Sequence, residues 1–156
     1  GDPQVLKDVK KGVTREEMIE AGRKLKRCGI LCSATLISGL GGRQRLREHA
    51  IASASLISAI KPDYVGFLTL MIDPQAPVYS KIVSGELELL NPEDVVEEMK
   101  LFLQNVDSEG TVFRSNHASN YVILKGTLNE DIPSMLAYLR QVEEQGKYRE
   151  ERWRRF

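Results

Sequence analysis

Four groups of residues in this chain have the types and spacing to do chemistry. The first is Gly39, Gly41 and Gly42, which come after the apolar run at residues 30–37 and precede a helical pattern. Glycine takes positive φ and lets the backbone approach a ligand without a side chain in the way. The free N–H groups and positive dipole end of the next helix favour an anionic group. A ligand at the carboxyl end of the run is the leading expectation; a tight turn with no ligand is the plainer one.

The second group is Cys28 and Cys32, in CxxxC spacing. Cys28 falls at the end of a helix and Cys32 inside a strand, so both read as small buried hydrophobes rather than metal ligands. The third is His49, beside Glu48, with His117 far along the chain. Two separated histidines with no acid at ligand spacing do not make a zinc site. Asn116, His117 and Asn120 read as residues that satisfy loop backbone locally. The fourth is Arg152, Arg154 and Arg155 around Trp153, which offers charge and stacking to a nucleic acid. Glu150 and Glu151 dilute it, and an exposed tail is the simpler reading.

Helices and strands must hold these groups in place. Asp2 and Pro3 start a short helix that Gly12 ends. Thr14 and Glu17 form a capping box for a second helix, with Met18, Ala21, Leu25 and Cys28 as its apolar stripe and Gly29 as its stop. Residues 30–37 read as a strand buried on both faces. A helix over 43–60 comes next, burying Leu46, Ala50, Ser53, Ile57 and Ile60, with His49 on its flank. Lys61-Pro62-Asp63 breaks it, and residues 64–70 form a second apolar strand. Helix, strand, helix, strand is the rhythm of a parallel α/β protein.

The chain then turns irregular through Asp73–Pro77 and makes a short helix at 78–83. Asn91-Pro92-Glu93-Asp94 starts a helix with Val95, Met99, Phe102 and Val106 as its apolar face. Residues 111–114 make a short strand, 115–121 a polar loop, and Asn129 caps a last helix bearing Ile132, Met135, Leu136, Leu139 and Val142. The stretch 146–156 reads as a charged tail, frayed or extended.

The 156 residues suffice for one domain that buries about 70% of its unfolded surface. With 22 basic and 22 acidic residues the chain is neutral, which argues against a general nucleic-acid or membrane-surface binder. No apolar run of about 18 residues is present, so no membrane partner is expected. Two cysteines give no disulfide framework; a reducing, cytoplasmic setting is the default.

In order and spacing, several segments resemble the later part of a radical SAM enzyme. Gly1-Asp2 with VLKDVKKGVTREEMIEAGRKLKRCGI is similar to the segment after that superfamily's fourth strand. LISGLGG is similar to its fifth strand and turn, and DYVGFLTLMIDPQAPVYSKI to its sixth strand and the loop beyond. FRSNHASNYVILKGTL resembles the tail of a subgroup of iron–sulfur oxidoreductases of unknown substrate. Pro74-Gln75-Ala76-Pro77 departs from the Pro-Gly-Thr-Pro turn of many relatives.

The resemblance implies an α/β fold: a fragment of a partial (β/α) barrel with parallel strands over 1–90, a mostly helical carboxyl-terminal extension over 91–145, and the tail over 146–156. It implies S-adenosylmethionine (SAM) and a [4Fe–4S] cluster as cofactors of the full-length oxidoreductase, whose reduced cluster cleaves SAM to a radical that takes hydrogen from a substrate. The family's CxxxCxxC loop would lie in a missing amino-terminal half, the chain's first partner, and this portion alone would bind neither cofactor and be inactive. The substrate, small molecule or macromolecule, is open. Carried over residue by residue, Lys11 would lie near the SAM carboxylate, Thr35 at the ribose and Ile37 on the adenine. Gly39 and Gly41 would let the backbone approach, and Met71 would line the same pocket. Such sites sit at the carboxyl ends of barrel strands. No catalytic or metal-ligating residue is assigned to this portion. Its unpaired strand edges predict a homodimer. Two rivals are an autonomous nucleotide-binding α/β module using Gly39–Gly42, and a non-enzymatic interaction domain acting through 115–121 and the basic tail.

Overall fold

The computed structural model describes residues 1–155. The chain is an α/β protein built on one open, mostly parallel four-stranded sheet with its strands in chain order. Strand β1 (Ser33–Ser38) pairs in parallel with β2 (Tyr64–Thr69), and β2 in parallel with β3 (Val112–Arg114). The edge strand β4 (Lys125–Thr127) runs antiparallel to β3.

A short helix, α4 (Tyr79–Val83), follows β2, and longer helices cover one face. Leu36, Val65, Phe67 and Phe113 point into a core with Ala54 and Ile57 of α3 (Leu46–Ile60) and Val95, Val96, Met99 and Phe102 of α5 (Pro92–Asn105). Phe67, Phe102 and Phe113 meet with ring centroids 5.7–6.0 Å apart. Met135, Leu139 and Val142 of α6 (Ile132–Gln145) close the same core. The expected capping box forms at Thr14/Glu17; Asn91 caps α5 as expected, and Asp94 closes a second box with it. Among the described residues no helix is long and apolar enough to cross a membrane.

Several expectations need correction. Residues 30–37 are not a strand buried on both faces: β1 begins at Ser33, Ile30 and Leu31 are 53% and 72% exposed, and Ser33 and Thr35 face out. β1 is an outer strand, and among the described residues the helices that bury the strands lie on one side of the sheet. Helix α1 (Pro3–Asp8) stops before Gly12, because Lys10 turns left-handed at φ 53°. In α2 (Arg15–Arg27), Ala21, Leu25 and Cys28 are exposed. The helix instead docks through Met18, Ile19 and Gly22, whose missing Cβ would meet the Ile60 side chain at 2.6 Å.

Asn129 does not cap α6; Asp131 occupies that position. Asn129 is itself left-handed, accepting from Ser108 N at 2.9 Å and donating to Asp107. The sheet and core also run across the boundary expected at residue 90, since β3 pairs with β2 and β4 extends it. The tail is folded back rather than frayed: a turn at Glu151–Trp153 leads into Arg154, which is 6% exposed.

Candidate functional site

The carboxyl ends of β1 and β2 lie side by side, Ser38 level with Thr69. Beyond Ser38 the glycine turn begins, with Gly39 at φ 87°. It is held from beneath by Glu98, a carboxylate of α5 that is 1% exposed. Glu98 accepts from Gly39 N at 2.9 Å and from the Ser38 hydroxyl, and its other oxygen meets His49 Nδ1. A buried carboxylate is retained only when its oxygens are satisfied, and these three partners satisfy it. The order is serine–carboxylate–histidine, with the carboxylate in the middle, so His49 has no contact through which to activate Ser38. This cluster fixes the shape of the turn.

The turn itself is packed by its own chain. A Cβ on Gly42 would lie 2.8 Å from Leu87 Cδ1 and 3.1 Å from Glu88 O; one on Gly41 would lie 3.2 Å from the Cβ atoms of Arg45 and His49. Arg43 N, at the head of the helical segment, donates to Glu88 O at 2.9 Å. Arg43 pairs with Glu88 and Asp94, and Arg45 with the buried Asp2 at 2.9 Å. The chain's own acids and carbonyls therefore take the place of an external anion at the helix start. Burial pushes Asp2 up, but the Arg45 guanidinium and the N–H groups of Val5 and Gln4 outweigh it, holding the carboxyl below its usual range.

Between the two strand ends and the folded tail is a cavity of about 380 Å³, lined by Ser38, Gly39, Thr69, Met71, Tyr121 and Arg154 among others. Arg154 closes one end. Its guanidinium lies 4.0 Å over the Tyr121 ring and donates to Ser119 O at 2.6 Å, Leu70 O at 3.2 Å, the Tyr121 hydroxyl and Glu151. The Tyr121 hydroxyl donates to Glu151 at 2.8 Å. Burial, helped by that carboxylate, pushes the phenol up to about 12. Burial acts on Glu151 too, but its bonds from Arg154 and Tyr121 prevail and keep its carboxyl low.

The loop at 115–121 supports this end from inside. Asn120, 1% exposed, donates to Phe67 O and Ser115 O and accepts from the Thr69 hydroxyl; Ser119 accepts from Thr69 N. These residues lock β2 to the loop, the local hydrogen bonding that their types suggest.

Of the six residues carried over as cofactor-binding, Gly39 and Met71 share the cavity. Gly41 packs against α3. Thr35 and Ile37 stand on the bare face of the sheet, beside Gly66 and Leu68 of β2. Lys11 lies on the exposed turn after α1, its N–H donating to Leu6 O. The six therefore divide among four places rather than forming one pocket. Sequence reading missed Glu98 and Tyr121 and took Arg154 for part of an exposed tail. Glu98 had a signal: it falls three residues after Val95 and four before Phe102, on the apolar stripe of α5. Arg154 had none, because its partners lie at Leu70 and Ser119.

The chain's own residues do not fit an iron–sulfur cluster. Cys28 is exposed at the end of α2, whereas Cys32 is buried with Leu56 and Ile60. Among the described residues no three His, Cys, Asp or Glu side chains gather to hold an ion. On the bare face a Cβ on Gly66 would make only ordinary contacts, with Leu68 Cδ1 and the Thr35 hydroxyl oxygen at 3.9 Å. Compared with family models and with curated proteins, the chain matches none.

Proposed function

We propose that this chain is the distal part of a radical SAM iron–sulfur oxidoreductase, a segment of partial (β/α) barrel forming one wall of the SAM and substrate pocket. One observation carries the reading. Three parallel strands have helices on one face, while on the other Thr35, Tyr64 and Arg114 are exposed and no helix among the described residues covers them. Parallel sheets occur almost only with both faces covered. In a barrel the inner face of such strands is the pocket lining, and the rest of the barrel supplies the cover.

On this reading the Thr35 hydroxyl is placed to meet a ribose and Ile37 to pack on an adenine, with Gly66 leaving the room between strands. Gly39 and Met71 form the rim at the strand ends. Glu98 keeps the rim in shape, and Arg154 with Tyr121 shuts one end against water. SAM, when bound, supplies the radical chemistry; the protein orients it and excludes solvent. The cluster is held by other polypeptide, and this portion alone is inactive.

The nucleotide-module rival has less support, because Glu88 O and Leu87 occupy the glycine turn where a phosphate would sit. The interaction-domain rival has less too, because Ser119, Asn120 and Arg154 are buried. Titration calorimetry with SAM, ATP and NAD separates the readings: the absence of tight ATP or NAD binding supports the proposal, and tight binding of either removes it. An in-frame CxxxCxxC encoded upstream of Gly1 is the second support expected, and a native start codon there would remove the proposal.

A further inference from the structure

One row of the bare sheet face combines residue types that no packing requirement explains. Thr35 is level with Gly66, Gly66 with Arg114, and Arg114 with Lys125, so the four stand side by side across all four strands. Arg114 and Lys125 are directly opposed on antiparallel strands, where Cβ atoms are about 5 Å apart and like charges destabilise the pair. Both are exposed, and among the described residues neither has a carboxylate within ion-pairing distance. Arg114 donates to Phe113 O at 2.8 Å through Nη1 and leaves the rest of its fork free.

Acids are as common in this chain as bases, 22 of each, yet the row has two cations and no acid. Lys125 alone would be an ordinary guard on an edge strand. Arg114 is on an inner strand, between β2 and β4, where no edge needs guarding. Next to it Gly66 carries no side chain, and a Cβ there would make only ordinary contacts, with Leu68 Cδ1 and the Thr35 hydroxyl oxygen at 3.9 Å. A charged fork, an ammonium and a hydroxyl thus stand in one row with a position that has no side chain.

From this row we infer that the bare face holds an anionic group of a small-molecule substrate, a carboxylate or a phosphate, seated over Gly66 against Arg114 and Lys125. Arg114 grips two of its oxygens through the guanidinium fork, and Lys125 adds a point charge. The bound anion also offsets the repulsion within the Arg114–Lys125 pair. The inference rests on the proposal that this face lines a pocket, and it assigns the substrate's charge rather than the cofactor's place, which Thr35 and Ile37 take on β1.

The test is a chemical-shift titration of the whole ¹⁵N-labelled chain with inorganic phosphate and, separately, with acetate, at an ionic strength held constant with sodium chloride. The expected result is saturable movement of the amides at Thr35, Gly66, Arg114 and Lys125, with Arg114→Gln weakening the apparent affinity at least fivefold and Lys125→Gln weakening it less. Stronger binding of phosphate or of acetate tells which anion the row prefers, and either supports the inference. It is overturned if the shifts centre elsewhere, if Arg114→Gln leaves the curve unchanged, or if the oligonucleotide dT8 saturates the row below the concentration that phosphate needs. SAM takes no part in this titration. Anion binding at the row together with tight ATP or NAD binding would sink the cofactor reading alone; no anion binding at the row and no tight ATP or NAD binding would sink this one alone.

Discussion

The two faces of the sheet obey opposite rules. On the helix-covered face, alternate residues are apolar and buried: Leu36, Val65, Phe67 and Phe113. On the other, Thr35, Tyr64, Arg114 and Lys125 are exposed, and Gly66 carries no side chain. The same strands thus carry stability on one side and groups free for chemistry on the other. The contrast teaches that residues 30–37 are apolar for a mixed reason, since only every second residue from Ala34 onward faces the core.

That contrast can be tested by substitution. Phe102→Ala on the covered side removes the centre of the aromatic cluster, and unfolding by denaturant should show a loss of about 3–5 kcal/mol. A loss under about 1 kcal/mol would mean the core is looser than its burial implies. Glu98→Ala should come next, at about 2–4 kcal/mol, because it leaves Gly39 N–H, Ser38 and His49 buried without their acceptor. Glu98→Gln should recover part of that loss, and identical midpoints for the two variants would count against the role given to Glu98.

The pH dependence tests the rim. Tyr121 has a folded-state value above its unfolded one, so its contribution is complete below pH 10 and lost as pH rises toward about 12. Tyr121→Phe should flatten that alkaline loss, by an amount on the order of 2 kcal/mol. Asp2 and Glu151 have folded-state values below their unfolded ones, so their contributions hold above about pH 4.5 and fade as pH drops further. An Arg45→Gln variant with the same acid midpoint as wild type would show that the Asp2 pair does not carry that share.

On the bare face Thr35→Ala should change stability by less than about 0.5 kcal/mol, as expected for a solvated position. A loss as large as that of Phe102→Ala would mean that the face is covered in solution. The free edge of β1 predicts concentration-dependent dimerisation. Sedimentation equilibrium that fits a monomer at millimolar protein would remove that expectation.

Much of the architecture was legible in local pattern. The caps at Thr14 and Asn91, the breaks at Lys61–Asp63 and the apolar stripe of α5 are set by residues within a turn of one another. The features that were not legible depend on distant partners. The exposure of Leu25 arises from Gly22 meeting Ile60, and the burial of Arg154 from carbonyls on another strand. The strand β4 went unread because Lys125-Gly126-Thr127 has no apolar alternation; it is held by pairing with β3. At the site, the rim glycines announced themselves, but the carboxylate beneath them and the arginine above did not.

The bond from Arg154 to Leu70 O closes a loop of 84 residues. Loop-closure entropy grows with length, so this contact gains little until the intervening helices have formed. The clamp is therefore a late arrival in folding, and the amides at the end of β2 should be among the last to gain protection in pulse-labelled hydrogen exchange.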